Sequence, residues 1–83
     1  GTMQEDIRSE NLAMMQMEYT KGLTYETAPH SYQVVTEGVP QDYSLTAEAT
    51  SVPGKDDDIQ KITVTVLRNG VGIYTLEGYK VNR

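Results

Sequence analysis

The segment from Ile59 to Val81 constrains the fold most strongly, because its residues spell a β-hairpin whose two faces differ. Branched apolar residues alternate with polar ones up to Leu67, and Asn69-Gly70 is a dipeptide typical of a tight hairpin turn. Successive strand side chains point to opposite faces, so the choice of turn decides which residues share a face. Gly78 is expected to interrupt the second strand, because the apolar residues beyond it change parity.

The hairpin is predicted to close through a three-residue loop, Arg68-Asn69-Gly70, in which Gly70 is left-handed and forms a bulge. A two-residue turn at Asn69-Gly70 would set Val64 against Thr75 and mix apolar with polar residues on both faces. The longer loop collects the apolar residues on one face, which another element must then cover. Its predicted pairs are Ile62 with Leu76, Val64 with Tyr74 and Val66 with Gly72 on the apolar face, and Lys61 with Glu77 and Thr63 with Thr75 on the other.

A helix is predicted from about Glu5 to Lys21, where good helix formers dominate and Gly22 suits the C-terminal cap. Leu12, Met15 and Tyr19 fall on one face at spacings of three and four residues. That stripe is expected to pack on the apolar face of the hairpin.

The helix carries more apolar surface than one sheet face needs, because Met14 and Met17 lie off this stripe. One interpretation is a helix half-buried in a small domain. The other is a helix that covers the sheet and also meets a partner helix, for which methionine is a suitable contact residue. The predicted assembly surface consists of Leu12, Met14, Met15 and Met17.

Two further strands are predicted between the helix and the hairpin. Residues 32–36 form a short strand, a turn follows at 37–40, and clean alternation from Tyr43 to Thr50 marks the second strand. A loop rich in aspartate, 51–58, leads into the hairpin. This order predicts an α+β fold in residues 4–83, with the N-terminal helix packed across a roughly four-stranded antiparallel β-meander. Gly1-Thr2-Met3 is typical of residues left by an expression vector.

The composition argues against several functions. A net charge of −5 without a basic cluster disfavours nucleic acid as a partner, and the absence of cysteine excludes thiol catalysis and thiolate-bound metals. His30, beside Pro29 in an irregular stretch, is expected to be a loop histidine with no catalytic role. Tyr43 and Tyr74 are expected in the core, whereas Tyr25 and Tyr32 flank His30 and have no assigned role. No cofactor and no enzymatic activity are predicted.

Asp56, Asp57 and Asp58 form the one acidic cluster of interest. Calcium prefers several oxygen ligands from a flexible loop, and this loop offers three carboxylates. Adjacent side chains diverge, however, and the spacing lacks the alternating pattern of a helix–loop–helix calcium site. Solvated loop charge is the simpler interpretation, with a calcium site as the alternative.

Three segments together resemble the soluble part of type IV pilin-like proteins, the superfamily of pilus subunits and type II secretion pseudopilins. Residues 10–18, ENLAMMQME, look like the helix that follows the membrane segment in minor pilins and pseudopilins. Residues 32–46, with Val39-Pro40 and then Asp42-Tyr43, look like the first sheet strands. Residues 59–79 are similar to the closing hairpin of the family, and these pieces cover most of the chain.

The resemblance implies a structural subunit of a type IV pilus-like filament or of a type II secretion pseudopilus. It further implies other such subunits as partners, and an inner-membrane anchor through a preceding apolar helix before assembly at the cell envelope. The paired cysteines of many major pilins are absent, which favours a minor subunit. The alternative is a small extracellular β-rich binding or adhesion module, with calcium as a candidate ligand.

Overall fold

The computed structural model describes the backbone of residues 2–82 and the side chains of residues 7–82. One helix lies across one face of a four-stranded antiparallel sheet, and the strands follow one another in chain order. The predicted α+β fold class is confirmed. The elements are α1 (Thr2–Lys21), β1 (His30–Ser31), β2 (Tyr43–Ser51), β3 (Ile59–Arg68) and β4 (Val71–Val81).

The β3–β4 hairpin closes through the two-residue turn Asn69-Gly70, so the predicted three-residue loop was wrong. Both turn residues have positive φ, 52° and 82°, as a type I′ turn requires, and Arg68 pairs directly with Val71. The bulge lies farther into the hairpin, where the partner of Val66 is Tyr74 but the partner of Leu67 is Gly72. The intervening residue, Ile73, has no partner in β3.

This bulge returns the apolar residues to one face, so the predicted faces are right except for Gly72, which pairs with Leu67 on the outer face, although the predicted pairs are not. Lys61 lies opposite Tyr79 instead of Glu77, yet its Nζ reaches Glu77 Oε2 diagonally at 3.4 Å. The pairs observed in the middle of the hairpin are Ile62 with Gly78, Thr63 with Glu77, Val64 with Leu76, Thr65 with Thr75 and Val66 with Tyr74.

Gly78 does not interrupt β4, contrary to the sequence-based expectation. Pairing continues to Val81, and Lys80 follows Gly78 onto the inner face, where it is buried. A Cβ atom at this position would approach the Sδ and Cε atoms of Met17 to 3.1 Å, so the end of the Met17 side chain would have to shift. Gly78 therefore lets α1 approach β4 closely.

The buried face of α1 differs from the predicted stripe. Tyr19 is exposed, Met15 is half-buried, and Met17, predicted to lie off the core stripe, is buried. The predicted stripe counted only apolar residues, whereas half of the buried positions are polar. The buried residues of α1 are Ser9, Leu12, Ala13, Gln16, Met17 and Thr20, at spacings of three and four.

Residues 32–36 do not form the predicted strand. Regular pairing with β2 ends after Ser31, although the Tyr32 N–H still donates to the Ala47 carbonyl at 2.8 Å. Beyond Tyr32, the backbone groups of Gln33 and Val35 form hydrogen bonds with the Gln16 side chain. His30 lies in β1, not in an irregular loop, and its ring meets the Tyr32 ring edge-on with centroids 4.6 Å apart.

The two faces of the sheet differ as predicted. The inner face is buried along β2 and β3 in strict alternation, and Tyr43 and Tyr74 lie on it. The outer face is rich in threonine and partly exposed. The inner-face core under α1 comprises Tyr43, Leu45, Ala47, Ala49, Ile62, Val64 and Val66.

Candidate functional site

An apolar groove of about 430 Å³ runs beside the N-terminal half of α1. The turn at 37–40, closed by a hydrogen bond from Val39 N–H to the Thr36 carbonyl at 3.3 Å, forms its opposite wall. Gly38 has a φ of 82° at this turn, a conformation that glycine adopts without strain. The groove is lined by Ile7, Arg8, Asn11, Leu12, Met15, Gly38 and Pro40.

The same half of α1 lies near the end of the sheet at which β2 begins. The guanidinium of Arg8 lies 6.0 Å from the centroid of the Tyr43 ring, and Tyr43 is the first residue of β2. From Arg8 the helix backbone extends back to Thr2, a further distance of about 9 Å. Ile7 is 54% exposed at this point. The N-terminal end of α1 therefore offers apolar surface that its own sheet does not cover.

The four residues of the predicted assembly surface do not share one face. Leu12 is buried against the sheet but borders the groove, and Met15 lies in the groove, half-buried. Met17 packs on Gly78 at the opposite flank. Met14 is 52% exposed and lies outside the groove. Only Leu12 and Met15 are brought together.

Gln16 ties the C-terminal half of α1 to residues 33–35. Its Nε2 donates to the Gln33 carbonyl at 3.1 Å and to Thr20 Oγ1 at 2.9 Å, while its Oε1 accepts from the Val35 N–H at 2.8 Å. The side-chain amide thus satisfies a donor and an acceptor of an extended segment, as a neighbouring strand would. Gln16 is fully buried, so its side-chain amide depends on these partners for its hydrogen bonds.

Lys80 closes the C-terminal end of α1. Its Nζ donates to the carbonyl of Lys21, the last helical residue, at 2.9 Å and to the Leu23 carbonyl at 2.6 Å. A cation is favourable here, because the terminal carbonyls carry the negative end of the helix dipole. Burial lowers the pKa of the Lys80 ammonium group. Lys80 also borders a cleft of about 570 Å³ formed by residues 21–25 and 79–82.

Gln60, opposite Lys80 in the hairpin, holds the loop that follows α1. Its Oε1 accepts from the Tyr32 hydroxyl at 2.6 Å, and its Nε2 donates to the Glu26 carbonyl at 2.9 Å. The Tyr32 hydroxyl in turn accepts from the Glu26 N–H at 2.9 Å. Tyr32 is therefore a buried structural residue.

Asp56, Asp57 and Asp58 do not converge on a common point. Asp56 Oδ1 accepts from the Asp58 N–H at 3.0 Å, and Asp58 Oδ1 accepts from the Asn82 amide at 3.3 Å. Tyr25 donates its hydroxyl proton to the Asp57 carbonyl at 2.6 Å. Among the side chains of residues 7–82, no three His, Asp or Glu residues lie so as to hold a metal ion. The calcium interpretation stays a prediction, without a convergent site in the described chain.

The buried polar residues Gln16, Gln60 and Lys80 were absent from the sequence-based candidates. A signal for Lys80 existed, because it continues the two-residue period of Tyr74 and Leu76. A signal for Gln16 existed too, since it lies between Leu12 and Thr20 at helical spacing. Neither signal can name the partner, because each partner lies far away in the chain.

Comparisons with protein-family models, with curated proteins and with solved structures found no match to this chain. In the described part of the chain, no helix combines the length and the apolar character that crossing a membrane requires.

Proposed function

We propose that this chain is the folded domain of a structural subunit in a type IV pilus-like filament or a type II secretion pseudopilus. Neighbouring subunits dock against the N-terminal half of α1. The observation that carries this proposal is the apolar groove beside Ile7 and Met15, where the Ile7 side chain is 54% exposed.

The groove has the composition of a helix-docking surface. Leu12, Met15 and Pro40 supply its apolar floor and wall, while Arg8 and Asn11 form a polar rim. Methionine adapts to an irregular neighbour, which suits a surface that must accept more than one subunit geometry. An apolar helix face placed beside α1 would pack at about 8–10 Å between axes.

The remainder of the domain supports a fixed position for α1. Gln16 and Lys80 hold the C-terminal half through hydrogen bonds, so the N-terminal half is displayed on a rigid base. A groove on one subunit that receives a different surface of the next is a heterologous contact. Such contacts propagate along a filament unless the rotation closes a ring.

The outer face of the sheet fits the solvent side of a filament. It carries threonines on β2, β3 and β4 and the charged pair Lys61 and Glu77, and its most exposed large apolar side chains lie on β4. The localisation that the resemblance implies, at the cell envelope after anchoring in the inner membrane, belongs to this proposal.

Cysteine cross-linking tests the proposal, since the chain contains no cysteine of its own. A Met15→Cys variant labelled with a benzophenone maleimide should form a ladder of cross-linked oligomers when assembled material is irradiated, because each label can bond to any surface of the neighbouring subunit. A Thr50→Cys variant, exposed on β2 and far from the groove, is the matched control and should stay monomeric. If both variants give only monomers in the cell-envelope fraction, docking through the groove is refuted.

The coding sequence upstream provides a second, independent test. A prepilin processing site followed by an apolar helix of about 20 residues would support the filament subunit. A cleavable signal peptide would instead favour the secreted binding module.

A further inference from the structure

The two edges of the sheet are unequal. One edge is β1, which has two residues, and the other is β4, which has eleven. Strand edges with unpaired N–H and C=O groups are templates for pairing, and proteins usually blunt them with charges, proline or β-bulges. β4 contains no proline, and its bulge at Ile73 lies near its first residues, so the strand from Tyr74 to Val81 is regular. Of its two charged residues, Lys80 points inward and is buried. Glu77 is the one charge left at this edge.

The alternation of the hairpin ladder identifies which groups of β4 are free to pair. The Asn82 N–H donates to the Asp58 carbonyl directly opposite at 2.9 Å. In an antiparallel ladder, hydrogen-bonded and non-hydrogen-bonded pairs alternate. Even-numbered residues from Tyr74 to Lys80 therefore bond to β3, and odd-numbered residues direct their N–H and C=O groups away from it.

Exposed apolar side chains concentrate on this strand. Tyr79 is 55% exposed and Ile73 is 38% exposed, with Val71 and Val81 exposed at the two ends. On the helix, by comparison, only Ile7, Met14 and Tyr19 are large, apolar and exposed within the described residues. The edge with free backbone groups is thus also the most apolar edge.

We propose that β4 pairs with β4 of a second copy of this chain, in antiparallel orientation about a two-fold axis at Leu76. Odd-numbered residues must face odd-numbered residues in such a pair. An axis at Glu77 would place two carboxylates opposite each other, which is unfavourable. An axis at Leu76 instead sets Thr75 against Glu77 in two symmetric pairs, with about four main-chain hydrogen bonds. It also brings Ile73, at the bulge, beside Tyr79 of the second copy.

Met14 supports this axis independently. Met14, Met17 and Lys21 share one stripe of α1, and both Met17 and Lys21 lie against the Gly78 position of β4. Met14 is one turn earlier, at the level of Leu76, since α1 and β4 run in the same direction. Pairing of the two β4 edges would bring the two helices to about 10 Å apart and place the exposed Met14 side chains against each other.

This interface goes beyond the proposed function and uses a different surface from the groove. It is isologous, so it closes as a dimer, whereas docking in the groove propagates. The two proposals can therefore fail separately. Because each copy carries a net charge of −5, the dimer should be weaker at low ionic strength.

Sedimentation equilibrium from about 10 µM to about 1 mM tests the dimer, with an expected Kd on the order of 0.1 mM for so small an interface. In the variant Ile73→Lys/Tyr79→Lys, the lysine at position 73 of each copy lies beside the lysine at position 79 of the other. Because these like charges repel, the Kd should rise about 100-fold. The variant Ile73→Lys/Tyr79→Glu opposes lysine to glutamate in the same register. Its Kd should return to within about tenfold of the parent value.

Both positions are exposed, so each double variant should keep the parent melting curve, which circular dichroism checks. Hydrogen exchange adds a second readout, because the N–H groups of Thr75, Glu77 and Tyr79 should gain protection only at high protein concentration. A parent chain that stays monomeric at about 1 mM overturns the proposal, as do equal affinities of the two double variants.

Discussion

The two halves of α1 meet the rest of the molecule by different chemistry. The C-terminal half is held by specific hydrogen bonds from Gln16 and Lys80 and by the close approach of Met17 to Gly78. The N-terminal half lies beside a groove, with Ile7 and Met15 only partly covered. The C-terminal half fixes the position of the helix, and the N-terminal half is available for contact with another chain.

This difference explains why one helix can serve both the core and an interface. A helix with apolar residues on every side would pack nonspecifically, whereas α1 gains its register from polar partners. Buried polar groups that are fully paired specify one arrangement, because any shift leaves donors and acceptors unpaired. The apolar residues of the N-terminal half carry no such constraint.

The Gln16→Leu variant tests the anchored half most severely. It keeps the side-chain volume but leaves the Gln33 carbonyl and the Val35 N–H without their partner, and we expect a loss of about 3 kcal/mol in unfolding free energy. Urea denaturation measures this. Met14→Leu on the exposed face is the control and should stay within about 0.5 kcal/mol of the parent. A Gln16→Leu loss no larger than that of the control would contradict the anchoring role.

The Lys80→Met variant should have a smaller effect, about 1–2 kcal/mol. It removes the donor to the Lys21 and Leu23 carbonyls, but it also relieves the burial of a charge. The substitution keeps a long apolar stem, so packing is little changed. Thermal unfolding monitored by circular dichroism at neutral pH measures the loss, and an unchanged or increased melting temperature would argue that Lys80 does not stabilise the helix end.

The smallest expected effect is the pH dependence of the difference in unfolding free energy between the parent and the Lys80→Met variant. The pKa of Lys80 is lower in the folded chain than its ordinary value of 10.5. Between these two pKa values the unfolded chain binds more protons, so the stability contributed by this group rises as the pH increases. The unfolding free energy of the parent minus that of Lys80→Met should therefore increase from pH 7 toward pH 10.5. A difference that falls over this range would show that the charged form is favoured by folding.

Much of the fold followed from residue patterns. The alternation in Tyr43–Ser51 and Ile59–Arg68 predicted β2, β3 and their buried faces. When side chains alternate with a period of two and one face must be buried, only one assignment of residues to that face is possible. The helix and the order of elements were predicted for similar reasons. The hairpin turn was mistaken because a bulge at Ile73 restores the same faces as a longer loop would, and the pattern of apolar residues does not distinguish the two.

The candidate site was predicted only in part. Leu12 and Met15 were identified by their spacing, but the groove also needs Gly38 and Pro40, which a turn distant in the chain brings to the helix. Met17 was assigned to the outer surface because the apolar stripe was drawn through Tyr19. It packs against Gly78, where the absence of a Cβ atom leaves room for the end of its side chain.

The local pattern by itself determined the type of each main element, the dry face of the sheet and the need for a helix to cover it. These properties depend on the period of the side chains along one segment, which is written in the sequence. The tertiary structure alone decided that Lys80 bonds to the end of α1, that Gln16 satisfies residues 33 and 35, and that β4 is left as a free edge. The reason is physical, because each of these depends on which distant backbone groups come within hydrogen-bonding distance once the chain has folded.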